Sequence, residues 1–369
     1  MSELERALSE ISGMHSITLQ PAAGAHGELC GMLVVAAYFK DKKKPRRKII
    51  IPNTAHGTNP ASAHLAGFHV TKLESGKDGM LTPDKVRAIM DEDTAALMLT
   101  NPNTLGLFEE NIREISDIVH RKGGFIYCDG ANLNALMGIA RLSDMGVDLV
   151  QFNLHKTFST PHGGGGPGSG PLGVVKTLEP YLPVPRIVKD KNTYRLDFER
   201  PKTIGRLKAF YGNFAIMVRA YAYILSMGKD GLRRASEMAI LNANYIRAKL
   251  KDSYHLPFER TCMHECVFTD KLQSAKGVTT LDIAKRLMDF GFHPPTIYFP
   301  LVVPGAIMIE PTETESPETL DRFIEAMKEI AREAEEDPAI LKEAPLTTKI
   351  SRVDEVKAAR EPVVRWQQG

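Results

Sequence analysis

The chain has 369 residues, which fits two domains at roughly 100 to 200 residues each. Hydrophobic residues make up 43% and charged residues 25%, a soluble globular composition that excludes a disordered, collagen-like or coiled-coil chain. The 47 Lys and Arg nearly balance 45 Asp and Glu, and the net charge of +2 argues for neither a nucleic-acid nor an anionic-membrane partner.

Four cysteines (Cys30, Cys128, Cys262, Cys266) show no CxxC spacing, so buried reduced thiols in a cytoplasmic protein are expected rather than a disulfide scaffold. The start MSELERALSE lacks an apolar signal core, and no run of about 18 apolar residues occurs, so a secreted or membrane-spanning chain is not expected. Leu4, Ala7, Leu8 and Ile11 recur at helical spacing from the first turn, as in a chain entered in mid-domain.

From Ser16 to Lys176, β-branched runs alternate with helical stretches: ITLQ, RKIIIP, HVTKL, AALMLT, GFIYCD, LVQFN and GVVK. This pattern predicts an α/β domain over residues 1–205, built on a mostly parallel sheet of seven strands. The first helix is expected to start near Glu28, after Gly24-Ala25-His26-Gly27, and a second to run from Asn111 to Lys122 with Gly123-Gly124 as its stop. Residues 206–369 read as a smaller α+β domain: a helical region near Leu207 to Asp252, a strand at Cys266 to Phe268, the helix LDIAKRLMDFG, the strand GAIMIE and a helix from Pro317 to Glu335. The tail after Pro338 is charged and proline-punctuated, with Trp366 expected as a docking anchor.

In open α/β sheets, ligands bind beyond the carboxyl ends of the strands. Lys156 lies just past LVQFN, followed by Pro161-His162-Gly163-Gly164-Gly165-Gly166-Pro167-Gly168, which suits a Schiff-base lysine approached by a flat ligand. Asp129 ends GFIYCD, 27 residues earlier, where a carboxylate needs a partner such as a protonated pyridine nitrogen. The turn Gly24 to Glu28 forms a phosphate cup at a helix start. After IIIP, His56 is placed to lie against a ring, with Thr58 or Asn59 as donors, and Asn101, after AALMLT, is placed to donate to a ring hydroxyl. No metal motif is present: His56, His64 and His69 lack an i, i+4 face, and Cys262, His264 and Cys266 alternate along one strand edge. The basic run Lys40 to Lys48 has no interleaved aromatics and reads as a solvated connector rather than a nucleic-acid patch.

Together LHKTFSTPHGGGGPGSGP, IPNTAHGTNPASA, LQPAAGAHGE, YCDGANLNA and IMIEPTETES resemble the pyridoxal-phosphate-dependent glycine decarboxylase family, the P-protein of the glycine cleavage system. The resemblance covers about Leu4 to Trp366, and the ending from Arg352 to Arg360 is similar to that of the second subunit where the enzyme is split into two chains. It implies a fold-type I transferase that uses pyridoxal 5'-phosphate to decarboxylate glycine and passes the aminomethyl group to the lipoyl arm of the H-protein. The implied roles are Lys156 as Schiff-base lysine, Asp129 as pyridinium partner and His56 as ring-stacking residue. Ala25, His26 and Thr58 fall around the phosphate, and Asn101, Ala131 and His155 complete the cofactor-binding set.

The implied partners are glycine, the lipoylated H-protein and a first subunit in a two-plus-two heterotetramer. The late strand offers Glu310, Thr312 and Glu313 where aminotransferases usually carry a carboxylate-gripping arginine, and that suits a decarboxylase. Second-subunit chains carry on the order of 100 residues ahead of the point matching Leu4, and that arm is expected to be absent here. The alternatives are a truncated, non-catalytic cofactor-binding partner of the first subunit, and another fold-type I enzyme such as a cysteine desulfurase or aminotransferase.

Overall fold

The computed structural model describes residues 1–162 and 165–366; Gly163 and Gly164 of the glycine run lie outside the described residues. The first part of the chain runs α1 (Ser2–Ser12), β1 (Ser16–Thr18), α2 (Gly24–Asp41), β2 (Lys48–Pro52), α3 (Thr58–Leu65), β3 (His69–Leu73) and α4 (Pro83–Ile89). It continues through β4 (Thr94–Thr100), α5 (Ile112–Arg121), β5 (Phe125–Gly130), β6 (Leu149–Phe152), α6 (Leu154–Thr157) and β7 (Leu172–Val174). All the runs expected as strands form them, in one 7-stranded sheet of order β1-β7-β6-β5-β4-β2-β3. Every described pairing is parallel except those of β7, which runs against both β6 and β1.

Alternation along the strands feeds two cores. Ile50, Leu97, Leu99, Ile126, Cys128, Val150 and Phe152 face one, with α1, α5 and the first half of a later helix. Ile49, Ile51, Ala96, Met98, Tyr127 and Leu149 face the other, beneath α2. Both faces of the central strands are therefore dry, which is why these strands are almost wholly apolar. Their polar residues sit at the strand ends, with Thr100, Asp129 and Gln151 gathered toward the carboxyl side. One expectation is corrected here: α2 begins at Gly24, not near Glu28. Gly-Ala-His-Gly has the local propensity of a turn, and packing of α2 against β6 and α3 overrides it.

A hairpin that the sequence reading did not anticipate, β8 (Arg186–Asp190) with β9 (Thr193–Asp197), precedes the long α7 (Phe214–Leu250). Ile216, Ala220, Ile224, Leu232 and Ala235 of α7 pack in the first core, whereas Ala243, Ile246 and Leu250 pack in a separate one. Packing thus divides α7 between the first core and this further one. This further core is covered by β10 (Cys266–Thr269), α8 (Lys271–Ser274), α9 (Thr280–Asp289), β11 (Thr296–Ile297), β12 (Ala306–Ile309), α10 (Pro317–Glu336) and α11 (Pro338–Glu343). Its sheet is antiparallel, in the order β10-β12-β11.

Helix starts follow side-chain chemistry. Thr279 and Asp282 form a reciprocal capping box on α9, and Ser316 caps α10 ahead of Pro317. A small cluster of Met80, Leu105 and Leu107 with Val267, Val303 and Ala306 ties the two parts together beside the strand ends. Arg352 holds the tail through Asp282 at 2.7 Å, ahead of α12 (Glu355–Arg360). Trp366, expected as an anchor, is 85% exposed.

Candidate active site

Strand register brings the polar ends together. Thr100 of β4 lies opposite Asp129 of β5, which lies opposite Gln151 of β6. Asp129 is buried, so its carboxylate needs donors, and it has them on both oxygens. Gln151 Nε2 donates to Oδ1 at 2.6 Å, Ala131 N to the same oxygen at 3.0 Å, and Asn59 Nδ2 to Oδ2 at 3.0 Å. Hydrogen bonds to a carboxylate favour its charged form and offset the cost of burying it.

These residues open onto a cavity of about 600 Å³, large enough for a cofactor-sized ligand. Lys156, Asp129, His56, Ala25, Thr58, Ala131 and His155 all line it. Lys156 sits on the single turn α6, directly after β6. His155 accepts a hydrogen bond at Nδ1 from Ser169 N and packs on His162, with ring centroids 4.3 Å apart and planes tilted by 37°. Burial, then the neighbouring His162 and Lys156, push its pKa down to about 4, so it is a neutral imidazole. His56 is exposed toward the cavity, with Nδ1 2.8 Å from Thr58 Oγ1 and its ring edge-on to Phe299 from the second part of the chain.

The start of α2 supplies the anion-binding element. Its N-cap residue, Ala23, is in extended backbone and gives no side-chain cap, so the first-turn N–H groups have no side-chain acceptor. Two predicted residues stand apart from the cavity lining. His26 turns back, its Nδ1 accepting from Ala22 N at 3.2 Å, and is kept neutral by burial and by Lys208. Asn101 is buried, its Oδ1 accepting from Glu109 N at 3.0 Å, so it braces the loop after β4.

Three lining residues were not singled out from sequence. Gln151 becomes visible only through strand register. Glu28, on α2, takes hydrogen bonds from Thr58 at 2.8 Å and Ser62 at 3.3 Å. Burial, then the charge of Asp129, push its pKa up to about 7. Glu265 reaches the cavity from the loop before β10, with Glu310 beyond β12. In the sequence it sits between His264 and Cys266 and looks like part of a strand edge, whereas the strand begins only at Cys266.

The arrangement offers a lysine amine, a buried carboxyl group held by three donors, a neutral His155 packed on His162 and an uncapped helix start, all facing one space. The chain is similar to known proteins in sequence and in fold. The family described as "Glycine dehydrogenase, C-terminal domain" matches residues 235–346, and "Aminotransferase class-V" matches residues 26–165. Among solved structures, an inhibitor-bound glycine decarboxylase (P-protein) of the glycine cleavage system superimposes with a TM-score of 0.74 at 18% identity, over 89% of this chain and 75% of that one. A cysteine desulfurase from Thermococcus onnurineus NA1 gives 0.69 at 17% identity, over 89% and 83%. These two establish the shared fold.

Full-length sequence relatives are much nearer. The chain is 58% identical to a probable glycine dehydrogenase (decarboxylating) subunit 2 of Caldanaerobacter subterraneus subsp. tengcongensis, over 99% of this chain and 76% of the relative. It is 58% identical to its namesake in Halalkalibacterium halodurans, over 100% and 75%. On identity and coverage of this order, the chain belongs to the glycine dehydrogenase (decarboxylating) subunit 2 family.

Proposed function

We propose that this chain removes the carboxylate of glycine as carbon dioxide and passes the aminomethyl group that remains to the lipoyl arm of an H-protein. The observation that carries this reading is the single cavity gathering Lys156, the three-donor Asp129 and the uncapped start of α2, in a chain of this family.

The family's cofactor is pyridoxal 5'-phosphate, and the residues present fit it. Thr100 Oγ1 and Gln151 Oε1 are buried beside Asp129 without a partner, polar atoms that await a polar ligand edge. Lys156 would hold the cofactor's aldehyde carbon through Nζ, and Asp129 would accept from the ring N–H. His56 would lie against the ring face. The N–H groups at Ala25 would take the phosphate with Thr58, while Ala131 and His155 flank the ring. His26 and Asn101 would act from behind, shaping the entry to α2 and the loop after β4. When bound, the cofactor supplies an electron sink for the bond broken at the substrate carbon.

The protein's part is to keep that sink effective. With Asn59, Gln151 and Ala131 donating to it, the Asp129 carboxyl group would be oriented to hold a proton on the ring nitrogen, in a pair shielded from water. The neutral His155 adds no positive charge that would compete with Asp129.

The partners that follow are glycine, the lipoylated H-protein and a first subunit, two copies of each subunit in the assembly. Carboxyl-labelled glycine given to the cofactor-loaded chain with first subunit and H-protein should release labelled carbon dioxide. Turnover of cysteine or of a keto-acid pair without H-protein, and no release from glycine, would contradict the reading.

A further inference from the structure

The cavity offers the substrate's carboxylate no arginine. Among its described lining residues the only permanent cation is Lys156, whose amine is committed to the cofactor, and His155 is neutral. Glu265 lines the same space, is 3% exposed, and its Oε1 has no hydrogen-bond partner. The residue is held in place. Met263 N donates to Gly106 O at 2.7 Å, and Gly106, at φ +72°, lies so close to the Glu265 backbone that a Cβ there would collide with its carbonyl.

The groups facing the carboxyl are Lys156 from α6, Glu310 after β12, and His264 and Cys262 on its own segment. Burial, then the charge of Glu310, hold it well above the usual carboxylate range, and Lys156 opposes this. Such an acid has a hydrogen to donate, and among the described residues its Oε1 has no hydrogen-bond partner, while Oε2 lies 3.6 Å from His264 Nε2, beyond hydrogen-bond length.

We propose that the Glu265 carboxyl group is the subsite for the substrate's carboxylate: its O–H donates a hydrogen bond to the group that leaves, in place of an arginine clamp. This rests on the glycine-decarboxylation reading. A charged bidentate clamp binds a carboxylate about twice as strongly as a neutral donor does. That extra binding is lost as the carboxylate becomes neutral carbon dioxide, so it would deepen the ground state and slow the step. A neutral acid fixes the direction of the leaving bond and forfeits less.

The test is a titration with glycine, and with methylamine, which lacks the carboxylate. It follows the visible absorption of the cofactor-loaded chain assembled with its first subunit, from about pH 6 to pH 9. Glu265→Ala should weaken glycine binding about tenfold or more and leave methylamine unchanged. Glu265→Gln, which keeps a neutral donor and cannot ionise, should bind glycine within about threefold of wild type. It should also lack the fall in glycine affinity that wild type shows as pH rises. Equal weakening of both ligands in Glu265→Ala, or of neither, overturns the subsite. Wild-type enzyme blind to glycine would instead overturn the decarboxylase reading, an outcome distinct from glycine binding that Glu265 does not influence.

Discussion

Gln151 Nε2 donates to Asp129 Oδ1 at 2.6 Å across two paired strands, in a register that sets the residues side by side. Neither side chain explains itself alone. A carboxylate closing a dry strand would be costly, and an amide beside it would be wasted, yet together they make a stable buried anion aimed at a cavity.

Gln151→Leu keeps the volume and removes the donor. One oxygen of a buried charge then loses a hydrogen bond, so the chain should lose about 1–3 kcal/mol of stability. Its cofactor should also be released more readily on dialysis. Urea unfolding and retained visible absorption measure the two effects; a variant that matches wild type in both would contradict the role given to Gln151.

Lys156 is exposed on a single turn of helix, and little packing depends on it. Lys156→Ala should therefore lose the visible absorption of the bound cofactor while its thermal unfolding without cofactor stays within about 0.5 kcal/mol of wild type. Retained absorption would mean that another amine holds the cofactor.

Glu28 has a folded pKa of about 7 against an ordinary value of 4.5. The native state thus holds this proton more tightly than the unfolded chain does. Its contribution to stability is fully present below about 4.5 and is lost as pH rises through about 7. Glu28→Gln, which stays neutral, should gain stability over wild type at pH 8, by on the order of 1–2 kcal/mol more than at pH 5. Urea midpoints of the cofactor-free proteins at the two pH values give that difference, and a gain independent of pH would contradict it.

The fold was largely legible because both faces of the central strands are buried, so continuous runs such as AALMLT and GFIYCD stand out between helical stretches. What was not legible depends on tertiary contact. Gly24 and Gly27 read locally as a turn, and only packing of α2 on β6 and α3 extends the helix back to Gly24. The β8–β9 hairpin has a weak sequence signal, because RIVKD does not alternate and the turn at Lys191 and Asn192 has no glycine. Glu265 escaped because its approach to the site is set by Gly106, more than 150 residues away in sequence, and no local pattern encodes that contact.

Gly228 kinks α7 between Ile224 and Leu232, which both pack in the first core, with φ 60° and ψ −173°, a conformation open essentially to glycine alone. Nothing lies within 4 Å of a Cβ added there, so Gly228→Ala would suffer from backbone strain and not from a clash. A loss of about 1–3 kcal/mol in urea unfolding is expected, and no loss would show that α7 can straighten without cost.

The most direct measurement is exchange of labelled bicarbonate into the carboxyl group of glycine, because it reads making and breaking of the carboxylate bond itself. The cofactor-loaded chain with first subunit and lipoylated H-protein should incorporate label, and Lys156→Ala in the same mixture should not. A wild-type chain that binds cofactor and partner yet incorporates no label would contradict the account.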